Sequence, residues 1–229
     1  MSIKYKIKLI TELIAQTEEA YSRAPDSVLL LAATKGQPID ALIEASKEGL
    51  KNFGENYFQE AQRKIKQLAD PTVTWHFIGP IQSNKTKGIA ELFGWVHTIN
   101  RNKIAQQLNE YRSNHLPPLN VCLQINLIDE ETKAGIKPEE AAELAFTVSQ
   151  FPHLKLRGLM TIPPPQQNEE EQYHVLSKLN HLMQELNQQL GLSMDTLSMG
   201  MSDDLVPAIK AGSTIVRIGR AIFGERNAH

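Results

Sequence analysis

Residues 28–36 read VLLLAATKG, an apolar strand that ends in an amine. Strand alternation puts Leu29, Leu31, Ala33 and Lys35 on one face, so the lysine shares the side of buried aliphatics. Such a lysine either snorkels, with its stem packed and its head in water, or keeps its amine partly out of water. A desolvated lysine amine is a nucleophile that attacks a carbonyl carbon to form an imine. The C-terminal third adds two more groups. In LSMGMSDD at 197–204, a strand ends at Ser198, the chain turns at Gly200, and Ser202 precedes two aspartates and a helix. Ser202 as N-cap, with Asp203 and Asp204 in the first turn, is ordinary capping chemistry. A hydroxyl and free backbone N–H groups around Gly200 also make a phosphate cradle. In VRIGR at 216–220, Arg217 faces away from Val216 and Ile218, and a buried arginine needs an acceptor from protein or ligand. Gly219 lets the backbone approach that ligand closely. Amine, cradle and arginine together describe a site for a phosphorylated aldehyde with an acceptor ring nitrogen.

These groups need a frame to bring them together. Apolar or β-branched runs fall near 28–34, 51–53, 73–78, 95–99, 119–126, 154–160, 195–198 and 214–218. Helical patterns lie between them near 38–49, 56–69, 84–92, 101–114, 138–149, 169–190 and 203–211, with an extra helix at about 4–22 before the first strand. Strands without polar alternation belong to parallel sheets covered on both faces, and strands alternating with helices are βα units. The spacing predicts an α/β fold, a single (β/α)8 TIM barrel, whose carboxyl-terminal strand ends gather function. A doubly wound open sheet is the alternative, because the runs at 51–53 and 195–198 are short. One domain is expected over 1–229, with an N-terminal helix in 1–26 and the barrel in 27–226.

The 229 residues carry a net charge of -2, which gives no reason to expect nucleic-acid or membrane binding. The single cysteine, Cys122, sits in the strand-like LNVCLQIN and reads as a buried core residue. No intrachain disulfide is open to it, which suits a reducing compartment. The N-terminus lacks a long apolar run, so a cytoplasmic location is expected. His174 and His181, seven apart on one helix, read as exposed histidines because no carboxylate or cysteine pattern completes a metal set. Asn84 reads as the cap of the helix that follows it.

The segments TKGQP around Lys35, FGENYFQEA at 53–61, WHFIGPIQSNK at 75–85, GLMTI at 158–162, LSMGMSDD and VRIGRAIFGER occur in that order. They resemble the YggS/PROSC family of pyridoxal phosphate homeostasis proteins, from about residue 28 to residue 226. The resemblance implies a barrel of the alanine racemase N-terminal-domain type (fold type III) that holds pyridoxal 5′-phosphate (PLP) as an internal Schiff base. On the matching positions it implies Lys35 as the Schiff-base lysine and Asn56 near the ring, with His76 and Ile78 packed beside it. It places Met160 against the cofactor, Ser198, Gly200 and Met201 at the phosphate, and backbone N–H contacts from Gly219 and Arg220. Arg217 would hydrogen-bond the pyridine nitrogen. Position 220 is commonly a small hydroxyl residue in this family, and here it is Arg220, so only its backbone contact carries over.

An arginine cannot accept or surrender a proton at ordinary pH. A ring nitrogen facing it stays neutral, which weakens the cofactor as an electron sink. Enzymes of the alanine racemase type also draw a tyrosine base from a further β-domain of the partner subunit. This sequence, which ends in IFGERNAH, is expected to lack that domain, and Tyr57 is expected to have a packing or surface role. The leading expectation is therefore a cytoplasmic, monomeric PLP-binding protein without a committed catalytic cycle, serving PLP homeostasis, with apo-PLP enzymes or regulatory proteins as its expected partners. A low-activity PLP-dependent amino-acid racemase or lyase is the alternative. A barrel aldolase using Lys35 on a sugar phosphate ranks below both.

Overall fold

The structure is a computed structural model that describes residues 1–128 and 134–224. Its strands are β1 (Leu29–Ala33), β2 (Asn52–Glu55), β3 (Thr74–Phe77), β4 (Trp95–Ile99), β5 (Leu119–Gln124), β6 (Leu154–Met160), β7 (Thr196–Ser198) and β8 (Ile215–Ile218). All neighbours pair in parallel and β8 pairs back onto β1, so the sheet is a closed barrel in chain order. The two short runs are therefore strands, and the open-sheet alternative falls. The helices are α1 (Ile3–Ala20), α2 (Ile39–Lys47), α3 (Phe58–Leu68), α4 (Thr86–Leu92), α5 (Asn102–Tyr111), α6 (Ala141–Ser149), α7 (Glu169–Leu190), α8 (Leu205–Lys210) and α9 (Arg220–Phe223). The expected barrel limit at 226 and the tail of the VRIGRAIFGER segment lie outside the described residues.

Alternation along the strands builds two cores. Outward residues such as Phe53, Trp75, Phe77, Val96 and Val216 pack against the helices in one large apolar layer. Inward residues form a small cluster of Leu29, Leu31, Ala33, Ile78, Trp95 and Ile215. The interior also holds a polar group: His76, His97, Ser198 and Arg217 are all buried on inward positions. Closing β6 against β7 depends on Gly158, where a Cβ would stand 1.7 Å from the Thr196 carbonyl oxygen.

Helix α1 begins at Ser2, whose hydroxyl accepts from the Tyr5 N–H, and buries Ile7, Ile10 and Ile14. Beyond it, the buried Glu18 carboxylate accepts from the Val28 N–H at 2.8 Å, and Arg23 donates to the carbonyls of Ile209 and Ser213, each at 3.0 Å. These bonds fix α1 at the amino ends of β1 and β8, opposite the Lys35 end. Helix α7 starts as its acidic first turn predicts, with the Asn168 side chain accepting from the Glu171 N–H at 2.9 Å.

Two capping expectations are corrected. Ser202 does not open α8, which starts at Leu205. Asp204 instead accepts from the Met201 N–H at 2.6 Å and from Gln172 Nε2 at 2.9 Å, and this holds residues 202–204 as a turn. Asn84 lies inside a 3-10 turn, Ser83–Lys85, that leads into α4 without a side-chain cap. Cys122 is fully buried and its thiol is pushed up to about 12 by burial, which suits an inert core residue. His174 and His181 are exposed, and no metal-holding group of three ligands occurs among the described residues.

Candidate functional site

The carboxyl ends of the strands surround a cavity of about 560 Å³, within the range of small-molecule sites, about 300–1,000 Å³. Its wall includes Lys35, Asn56, Ile78, Met201, Arg217, Gly219 and Arg220, seven of the eleven positions expected from the sequence. The floor is apolar, from Ala33 and Ile78 in the inner cluster. Lys35 lies two residues past the end of β1 and is half-buried, with its Nζ 5.7 Å from the centre of the Tyr57 ring. Tyr57 itself is 55% exposed, as a surface role requires.

The loop carrying Lys35 is clamped from behind. Thr34 and Glu55 face outward, toward α3, and the Lys64 amine enters between barrel and helix. It donates to the Thr34 carbonyl at 2.6 Å, to Glu55 Oε1 at 2.7 Å and to Glu60 Oε1 at 2.6 Å. Glu60 Oε1 also accepts from the Gly36 N–H at 2.7 Å. The residues on both sides of Lys35 are thus tied to one buried cation. Burial pushes the Glu55 carboxyl up, against the opposing pull of Lys64.

Arg217 is 5% exposed yet reaches the cavity wall. It donates through Nη1 to Ser198 Oγ at 2.9 Å and through Nη2 to the Thr161 carbonyl at 3.0 Å. Desolvation lowers its guanidinium to about 10, so it remains a cation at neutral pH. At the rim, the Arg220 guanidinium pairs with Asp203, and the Ala221 N–H donates to Ser202 Oγ at 3.4 Å.

Four expected positions lie behind the wall rather than in it. The Ser198 hydroxyl is turned into the barrel, bonded to Arg217 and to His97 Nδ1 at 2.7 Å, because the buried arginine takes it as an acceptor. His76 is fully buried, 2.9 Å from His97 and stacked on Trp95, one layer below Ile78 on β3. Met160 is fully buried where β6 pairs with Ser198 of β7. Gly200 takes a φ of 96°, and a Cβ there would stand 2.6 Å from the Ala208 Cβ, so it shapes the turn that carries Met201 to the cavity. His97 escaped the sequence reading. Its one signal is a histidine among apolar residues in WVHTI, the usual sign of a core histidine.

Lys35 at the mouth of this closed parallel barrel and the buried Arg217 line one cavity, at the strand ends where such barrels gather their chemistry. Residues 13–227 match the family model described as alanine racemase, N-terminal domain. Proteins named pyridoxal phosphate homeostasis protein from Pseudomonas aeruginosa and Vibrio alginolyticus are 50% and 49% identical to this chain, and each match covers 99% of it and 96% and 98% of theirs. A solved structure described as PipY of Synechococcus elongatus with PLP bound is 34% identical, with a TM-score of 0.81 over 92% of this chain and 100% of that one. The chain belongs to the alanine racemase N-terminal-domain family and, within it, to the pyridoxal phosphate homeostasis proteins.

Proposed function

We propose that this chain binds PLP at Lys35 and takes part in PLP homeostasis, and so in amino-acid and keto-acid balance, without a committed catalytic cycle. The observation that carries this reading is that Lys35 and Arg217 line the same cavity. The residues suit the group chemically. An amine is present for an aldehyde and a fixed cationic donor for a ring nitrogen, and Gly219, with no side chain in the way, brings backbone to the same cavity. Ile78 and Asn56 flank the space for the ring, and Met201, Gly219 and Arg220 border the space for the phosphate. When bound, the coenzyme supplies an aldehyde and a conjugated ring.

The chain's own residues then hold rather than drive. The Lys64 clamp fixes the backbone on either side of Lys35. Arg217 donates hydrogen bonds and keeps its protons at neutral pH, so it cannot protonate a facing ring nitrogen. That weakens electron withdrawal and favours retention of the coenzyme over carbanion chemistry. A single domain, a monomer, a cytoplasmic location and transfer to apo-enzymes or regulatory proteins complete the reading. No helix among the described residues is long and apolar enough to cross a membrane.

The test is an absorbance spectrum of purified protein loaded with PLP, before and after borohydride, followed by peptide mapping. The expected result is a chromophore fixed by reduction on Lys35 and absent from Lys35→Ala. A wild-type protein that takes up no PLP overturns the reading. One observation favours a second reading, a low-activity racemase or lyase: the Tyr57 ring beside the Lys35 amine. Lys35-dependent exchange of amino-acid Cα protons in D₂O, lost in Tyr57→Phe, would establish it.

A further inference from the structure

We infer that His97 is a positioning residue for the cavity's arginine, acting through Ser198 in a single-direction hydrogen-bonded chain, Arg217–Ser198–His97–His76–Asn52, that crosses the barrel interior. The part concerning ligand rests on the PLP reading above; the part concerning the chain's proton directions stands without it.

The directions follow from one end. His76 Nε2 lies 3.1 Å from Asn52 Oδ1, an oxygen that only accepts, so Nε2 carries the His76 proton. His76 is fully buried and neutral, with burial holding it down to about 3. Its Nδ1 is then an acceptor, and His97 Nε2 donates to it at 2.9 Å. His97 is also neutral, held well below its ordinary value by burial and by the nearby His76 and Arg217. Its Nδ1 therefore accepts the Ser198 hydroxyl proton at 2.7 Å. Ser198 has spent its one hydrogen, and its oxygen accepts from Arg217 Nη1. Turning the Asn52 amide around would reverse both histidines. Ser198 would then receive from His97 and Arg217 together, and its own buried hydrogen would have no acceptor, since those two are its partners among the described residues. An unmade buried hydrogen bond is costly, so the first arrangement wins.

The chain does more for orientation than for stability. Leucine and isoleucine could fill the same interior, and a satisfied buried polar network gains little over an apolar one. What it provides is a serine whose lone pair always faces the arginine. With the Thr161 carbonyl as second acceptor, two of the five guanidinium N–H donors are fixed, and the planar group presents its remaining donors in one orientation at the cavity wall.

The test uses the full chain in two stages. Imidazole ¹⁵N spectra of the ligand-free protein should show both His76 and His97 protonated on Nε2. A proton on Nδ1 of either overturns the relay, whether or not PLP binds. Then His97→Leu, His97→Gln and Ser198→Ala are loaded with PLP. His97→Leu and Ser198→Ala should each weaken retention about tenfold and change the ratio of the bound coenzyme's absorbance bands. His97→Gln, which keeps one donor and one acceptor, should restore both. The double variant His97→Leu with Ser198→Ala should be no worse than either single one. Wild-type spectrum and retention in both single variants, or additive losses, would overturn the positioning role. If His97→Leu does not fold, Ser198→Ala removes only a hydroxyl and carries the same readout. Failure of the wild type to take up PLP would refute the functional reading instead, leaving the ¹⁵N result to judge the relay.

Discussion

Lys64 Nζ lies 2.7 Å from Glu55 Oε1 and 2.6 Å from the Thr34 carbonyl oxygen, so a buried ion pair on the outer face of the barrel holds the residue before Lys35. Both side chains are almost fully buried, and Glu55 Oε2 has no hydrogen-bond partner among the described residues. The carboxylate therefore relies on Lys64, with a further bond from Thr34 Oγ1 at 2.5 Å.

Lys64→Met removes the cation and leaves that carboxylate buried. The expected loss is about 3–5 kcal/mol in urea unfolding at neutral pH, the usual cost of breaking a buried pair from one side. The loss has a definite pH sign. The Glu55 carboxyl is already raised by burial, and without Lys64 it rises further. A raised folded-state carboxyl binds its proton more readily than the unfolded chain does, so the variant's deficit shrinks on acidification toward the ordinary carboxylate range. Glu55→Gln combined with Lys64→Met should recover much of the stability at neutral pH. A deficit that does not change between pH 7 and pH 5 would show that Glu55 is not its source.

The interior histidines set a second pH dependence. His76 is held at about 3 and His97 well below 6.5, in both cases mainly by burial. Between the unfolded value near 6.5 and these folded values, the unfolded chain binds more protons, so stability falls as pH falls. Each histidine contributes a slope of up to about 1.4 kcal/mol per pH unit. Urea midpoints measured from pH 7 to pH 5 should decline steadily, and His76→Phe should flatten the curve. A midpoint constant over that window would contradict neutral, buried imidazoles.

Much of the fold was legible because parallel strands buried on both faces leave uninterrupted apolar runs, as in VLLLAAT and LNVCL. The chemical ends of β1 and β8 were legible for the same reason, since a lysine and an arginine stand out on such strands. What escaped was pairing across distance. His97 meets Ser198 over 101 positions, and nothing local in WVHTI names that partner. Lys64 looks like any charged residue of an amphipathic helix until α3 is docked. Ser202 obeyed the rules of a cap, but Asp204 took the Met201 N–H and moved the helix start to Leu205.

Gly79 shows how tightly one loop is set against another. A Cβ there would stand 2.1 Å from the Asn56 carbonyl oxygen and 2.5 Å from its Cα, with only backbone to yield. Gly79→Ala must displace the segment that brings Asn56 to the cavity. Weaker PLP retention with little loss of helical circular dichroism is the expected result. Unchanged retention would mean that Asn56 does not contribute to binding.

Arg220 and Asp203 face each other at the cavity rim, both largely exposed, so their pair adds little to stability. Their importance is to the field at the mouth. Asp203 repels an incoming phosphate ester, and Arg220 offsets that charge. Arg220→Ser should leave thermal unfolding nearly unchanged yet weaken PLP binding several-fold at low salt. Screening shortens the Debye length from about 10 Å at 0.1 M to about 3 Å at 1 M, so the difference should fade as salt is added. Asp203→Asn in the same chain should restore the low-salt affinity by removing the repelling charge. A salt-independent loss in Arg220→Ser would mean that the guanidinium holds the ligand by direct contact and not by balancing Asp203.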